Sequence, residues 1–157
     1  MQIVKIEPFN IVGIAIRTTN ENGQAIKEIA ELWDKFMCEA ILTKIPNKVD
    51  NEIYSLYTDY ESDHTKPYTA ILGYKVENLD TIPNGMVGKS FYGGNYVKTS
   101  AKGDLMRGLV INEWSRIFKM ELDRTYVADF EIFGEKAQNP SDAVVDFYVG
   151  IKNESNG

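Results

Sequence analysis

The feature that most constrains this chain is that it runs one programme twice. Residues 11–19, "IVGIAIRTT", alternate as a strand, and the Asn-rich "NENG" behind them supplies a helix cap. From Gln24 to Ile45, apolar residues fall at Ile26, Ile29, Trp33, Phe36, Met37, Ala40 and Ile41, a helical stripe that Pro46 ends. Two strand-like runs follow, "NEIYSLYTDY" and "PYTAILGYKVE", joined by the polar loop "ESDHTK", and the turn "DTIPNG" closes the first half. The second half repeats the order. "MVGKSFYGGNYVKTS" reads as a strand with a Gly-Gly bulge or bend. "AKGDLMRGLVINEWSRIFKM" reads as a helix with Met106, Val110, Trp114 and Ile117 along one stripe. "TYVADFEIF" and "AVVDFYVGIK" close it as a pair of strands around the turn-rich "GEKAQNPSD".

Two β-α-β-β units predict a single α+β domain over residues 1–157, with repeats over about 1–80 and 84–152. The expected form is an antiparallel sheet with two helices, and a groove where the halves meet, a common place for a ligand. Each helix carries a tryptophan, Trp33 in "LWDKF" and Trp114 in "EWSRI", and both sit on apolar stripes that suit core packing. The tail "NESNG", residues 153–157, is expected to fray.

A length of 157 residues is enough for one sizeable core. The net charge of −6 argues against nonspecific binding to nucleic acid or to an anionic membrane, both of which need basic patches. The apolar run "FNIVGIAI" is too short to span a bilayer and follows no basic leader, so neither a signal peptide nor a membrane partner is expected. The lone Cys38 excludes an intrachain disulfide and suits a reducing, cytoplasmic compartment, as a small buried thiol on a helix. Metal chemistry finds little footing. "DYESDH" lacks the glycine and terminal glutamate of a calcium loop and reads as a solvated hairpin tip, and His64 is the only histidine. The glycines of "FYGGNYVKTSAKG" lack P-loop spacing, so no cofactor is expected.

One residue breaks the pattern. In "RTYVADFEIFGE" a period of two puts Tyr126, Ala128, Phe130 and Ile132 on one strand face and Val127, Asp129, Glu131 and Phe133 on the other. The second face carries two acids between apolar residues, and an unpaired buried carboxylate is costly. Either that face is wet, or Glu131 is salt-bridged, or it awaits a partner from outside the chain.

The combination of "IYSLYTDYESDHTKPYTAILGYKV", "IPNG", "YVKTSAKG" leading into a helix with "EW", and "RTYVADFEIF" resembles the GyrI-like effector-binding domains, over about Ile3 to Lys152. These occur as sensor modules of AraC-type and MerR-type regulators and as stand-alone proteins. The resemblance implies a duplicated β-α-β-β fold. It also implies lipophilic cations bound between the repeats, by aromatic walls and an acidic residue that matches Glu131. Some stand-alone relatives inhibit DNA gyrase, and others hydrolyse strained cyclopropane toxins with a glutamate at that position. No helix-turn-helix segment accompanies the resemblance here, so direct DNA binding is not carried over.

The walls follow from parity. On the final strand Val145, Phe147, Val149 and Ile151 form an apolar face expected to meet the helices, which places Asp146 and Tyr148 on the face opposite, with Glu131 and Phe133. Tyr57, sharing a face with Ile53 and Ser55, is expected to enter from the other half. The ligand-site residues expected are therefore Glu131, Trp114, Tyr57, Phe133 and Tyr148, with Trp114 included because the resemblance sets its helix beside the groove. The function expected is a stand-alone binding module for hydrophobic, cationic small molecules, acting in sequestration or sensing. The alternatives are a hydrolase of strained electrophiles with Glu131 as general base, or an inhibitor acting on gyrase or another protein partner through the acidic surface.

Overall fold

The alternating segments pair into a single antiparallel sheet. The computed structural model describes residues 2–152, so the expectation for 153–157 lies outside the described residues. The strands are β1 (Gln2–Ile6), β2 (Phe9–Thr18), β3 (Lys48–Thr58), β4 (Tyr68–Val76), β5 (Val87–Phe91), β6 (Gly94–Gly103), β7 (Ala128–Phe133) and β8 (Ala143–Gly150). The helices are α1 (Gln24–Cys38), between β2 and β3, and α2 (Leu109–Phe118), between β6 and β7. Across the sheet the order is β1-β6-β8-β7-β3-β4-β2-β5. Replacing each of β1–β4 by its counterpart in β5–β8 gives the same list read backwards. The two halves join at their inner strands, β3 with β7, and each gives its first strand to the other: β1 pairs β6, and β5 pairs β2.

Both faces of this curled sheet are buried. On one face Leu32 and Phe36 of α1 pack with Val12, Ile14, Leu72 and Tyr74, while Ile117 of α2 packs with Val145, Phe147 and Val149. On the other, Phe9, Ile11, Tyr54, Leu56, Ile71, Phe91, Tyr96 and Phe130 make a second core with no helix in it. Each large apolar side chain fully withdrawn from water contributes about 1.5–3 kcal/mol. Two-sided burial is thus the main source of the fold's stability, and it explains why several strands are apolar on both parities.

The element boundaries differ from the sequence reading in three places. The run "MVGKSFYGGNYVKTS" divides into β5 and β6 at Gly93, which takes φ 75°. A Cβ there would fall 2.1 Å from the carbonyl oxygen of Ile6, so the chain crosses β1 where only glycine fits. Helix α1 stops at Cys38 rather than Ile45, because Ala40 turns left-handed and a short 3-10 turn, Ile41–Thr43, follows. As its last helical residue Cys38 is exposed, not buried. Helix α2 begins only after the left-handed Gly108, so Met106 lies outside it and is 84% exposed. Among the described residues no helix is long and apolar enough to cross a membrane.

Candidate functional site

The site is built where the halves meet, on the helix-bearing face. In the β3–β7 ladder Ser55 stands opposite Glu131, Tyr57 opposite Asp129 and Ile53 opposite Phe133. On the other flank of β7, Phe147 of β8 stands opposite Glu131. Glu131 is therefore enclosed by strands on both sides and by Trp114 of α2 above, and only 1% of it is exposed. Tyr57 donates its hydroxyl to Glu131 Oε1 at 2.7 Å, and Trp114 of α2 donates its indole N–H to Oε2 at 2.6 Å. Ser55 Oγ lies 2.9 Å from the Tyr57 oxygen, and with the phenolic proton committed to Glu131 it is Ser55 that donates.

Both donors to Glu131 are neutral. Burial pushes its carboxyl up to about 7, against the pull of the hydrogen bonds from Tyr57 and Trp114. The same burial, with the adjacent Glu131, raises the Tyr57 hydroxyl well above its ordinary range, so Tyr57 stays a donor. Two residues earlier on the same face, Asp129 is also fully buried but has a cation of its own. Arg124 Nη2 donates to its Oδ2 at 2.8 Å, Tyr60 donates to the same oxygen at 2.6 Å, and the Gly150 amide donates to Oδ1 at 2.8 Å. Of the two acids the sequence places on this face, one is internally neutralised and the other is not.

Aromatic rings surround the two acids. Neighbouring rings in a closed circuit of seven, Tyr57, Tyr68, Tyr60, Tyr126, His64, Phe118 and Trp114, have centroids 4.1–6.3 Å apart. Such separations suit edge-to-face and offset packing. The hairpin tip between β3 and β4 contributes Tyr60 and His64, and His64 stacks flat on Phe118 of α2 at 4.1 Å. Within "ESDHTK" it is His64 that packs on α2, while Glu61, Ser62, Thr65 and Lys66 are exposed, as a solvated hairpin tip requires. Tyr126, which takes φ 54°, lies under the Arg124 guanidinium at 4.3 Å. A left-handed tyrosine is a strained arrangement of the kind found where a side chain must be aimed.

Of the expected site residues, the structure brings Tyr57 and Trp114 onto Glu131 itself. Phe133 shares the face, but packs edge-on against Trp33 at 4.9 Å. Tyr148 is misplaced by the parity argument: it stands opposite Phe130 and stacks on that ring at 4.8 Å, in the helix-free core. The face of β8 that meets the helices is also the face of Glu131, so the residue beside the carboxylate is Phe147. The expected groove is covered in this structure, since Glu131, Ser55 and Tyr57 are buried beneath a half-buried Trp114. Sequence reasoning missed Tyr60, Tyr68, Phe118 and Tyr126. The one signal, for Tyr60 and Tyr68 alone, is the density of tyrosines flanking the hairpin tip, in "YTDYESDHTKPY".

Known proteins place this geometry in context. Over 156 residues and 96% of both chains the sequence is 26% identical to the protein YobU of Bacillus subtilis (strain 168). The solved integron cassette protein VCH_CASS2, from the mobile metagenome of Vibrio cholerae, is 27% identical with a TM-score of 0.75, over 96% of this chain and 95% of that one. The structure of SAV2435 bound to tetraphenylphosphonium shares the fold at 16% identity and a TM-score of 0.77, covering 97% and 93% of the two chains. Residues 2–151 match the family model of the integron-associated effector-binding protein Cass2, and the chain belongs to that family of effector-binding domains.

Proposed function

We propose that this protein binds hydrophobic organic cations, with the Glu131 carboxylate as their counter-charge and Trp114 and Tyr57 as the aromatic walls next to it. One observation carries the reading: Glu131 is a buried carboxylate held only by neutral donors, beside an acid that has its own arginine. A negative charge in that setting needs a counter-charge the chain does not provide, and a lipophilic cation supplies it without the hydration cost of an ammonium. Aromatic faces add about 0.5–2 kcal/mol each to a desolvated cation. Membership of an effector-binding family and the tetraphenylphosphonium complex of SAV2435 support the same reading. Access requires Trp114 to swing off the carboxylate, so binding exchanges the indole N–H for the cation. The test is calorimetry with tetraphenylphosphonium and the neutral, similarly shaped triphenylphosphine oxide. The cation is expected to bind more tightly, and Glu131→Gln to remove most of that preference; equal binding of both compounds overturns the proposal.

A second reading rests on the same carboxyl. Raised to about 7, Glu131 is poised as a general base at neutral pH. Turnover of a cyclopropane-bearing electrophile beyond one equivalent, abolished by Glu131→Gln, would support hydrolysis; stoichiometric binding of unchanged compound would exclude it for that substrate class.

A further inference from the structure

Glu131 and Asp129 alternate with Phe130 on β7, so their side chains rise from one face about 7 Å apart along the strand. Both are buried, yet only Asp129 meets a cation, and that cation is itself buried: Arg124 is 7% exposed and ion-paired at 2.8 Å. Arg124 stands in an aromatic cage, 4.3 Å over the Tyr126 ring and 5.9 Å from the centre of Phe118. Phe118 in turn lies 6.0 Å from Trp114, the residue that covers Glu131. The enclosure therefore holds two carboxylates and one guanidinium, a formal charge of one negative unit.

Resting on the cation-binding reading above, we infer that the Arg124–Asp129 pair sets the valence the site accepts, so that the site takes monocations and rejects dications. The pair touches no ligand in this scheme and acts through charge alone. A monocation brings the enclosure to neutrality. A dication leaves one positive unit uncompensated in a poorly solvated space, and Arg124 repels it directly. At separations of this order and an intermediate dielectric, one unit of charge changes affinity by about tenfold or more. An alternative, that the pair merely ties the β7 entry to β8 through the Gly150 amide, predicts a loss of stability with no change in which ligands bind.

Three probes of one shape separate these outcomes: N-methyl phenylpyridinium, a monocation; methyl viologen, the matching bis-pyridinium dication; and neutral phenylpyridine. The wild-type protein is expected to prefer the monocation. In Arg124→Met, which keeps an apolar stem against Tyr126, the preference turns towards the dication by about tenfold or more. In Asp129→Asn, Arg124 is left to neutralise Glu131, and monocation affinity falls by about tenfold although Glu131 is intact. The double variant Arg124→Met/Asp129→Asn restores a single negative charge and with it the wild-type ranking. That restoration tests the inference even where Arg124→Met fails to fold, since the double variant removes both charges of the Arg124–Asp129 pair together and leaves neither without its partner. A double variant and an Asp129→Asn variant that both rank the probes as wild type does overturn the valence role while leaving cation binding in place. Wild-type cation binding untouched by Glu131→Gln overturns both readings.

Discussion

Ser55 and Glu131 face each other across the central pair of strands, and they occupy corresponding positions in the two halves. Laying β1 on β5 and β2 on β6 end to end carries Ser55 onto Glu131, and Tyr57 onto Phe133, through the ladder registers. The indole pairs obey the same relation: Trp114 packs on Tyr57, and Trp33 on Phe133. A symmetric frame is thus made chemically one-sided at its axis, with a neutral hydroxyl in one half and an acid in the other.

We propose on this basis that residues 1–80 and 84–152 are copies of one unit. In a crystal structure the two are expected to superimpose with Trp33 on Trp114 and Ser55 on Glu131. Halves that align in another register would separate these pairs and end the duplication argument.

Glu131 should weaken the fold at high pH. Its folded carboxyl, near 7, titrates above its ordinary value of 4.5, so between these limits the folded state holds the proton and the unfolded state does not. Stability from this group is therefore greatest below about pH 4.5, falls as pH rises, and levels above about pH 7, a span of about 3 kcal/mol. Glu131→Gln should remove that slope, leaving the variant as stable as wild type or more so near pH 8. Chemical denaturation at a series of pH values reads this directly. A less stable variant at pH 8 would identify a structural anion with a partner.

The indole over the carboxylate offers a spectroscopic check. Trp114 donates to Glu131 at 2.6 Å, so its emission should titrate with a midpoint near 7 in a Trp33→Phe background. Tyr57→Phe removes a donor that stabilises the ionised form, and its midpoint should move upward. An unchanged midpoint would mean that Tyr57 does not act on the charge.

His64 should act with the opposite slope. Burial, then the neighbouring Arg124, lower its pKa, and Arg124 Nη1 lies 3.5 Å from Nδ1. A histidine held neutral in the folded state contributes stability above its ordinary pKa that is lost as pH falls below it. His64→Gln should accordingly flatten the acid limb of the stability profile, and hydrogen exchange of residues 59–67 should speed up in wild type on the same limb.

Close strand approach sets a further prediction. Gly73 stands opposite Gly13, and a Cβ on Gly73 would fall 2.2 Å from the Val12 carbonyl oxygen. Gly73→Ala should cost at least about 2 kcal/mol in a denaturant midpoint, since backbone rather than a mobile side chain must yield.

What the sequence discloses here depends on how local the cause is. The strand–helix–strand–strand order was legible because it is written in periodicity, and Glu131 because an acid interrupts an apolar strand. The ends of the helices were less so: Ala40 turns left-handed at φ 49°, which nothing in its residue type announces. The side of the sheet facing a given residue was not legible from alternation, because both faces are dry, so parity placed Tyr148 with Glu131 when the register joins it to Phe130. Tyr60, Tyr68, Phe118 and Tyr126 enter the site through long-range packing of a hairpin tip on a helix end, which no short window contains.

The exchange of first strands has a bearing on how the chain is made. β1 emerges first, yet its partner β6 begins only at Gly94, and the outer side of β2 waits for β5 at Val87. A nascent first half therefore shows an open strand edge to its neighbours until β5 and β6 have also left the ribosome. Pairings this distant in sequence also slow the search for the native state. The same geometry allows two crowded chains to trade β1, each completing the other's sheet, so refolding yield should fall with concentration more steeply than stability alone would suggest.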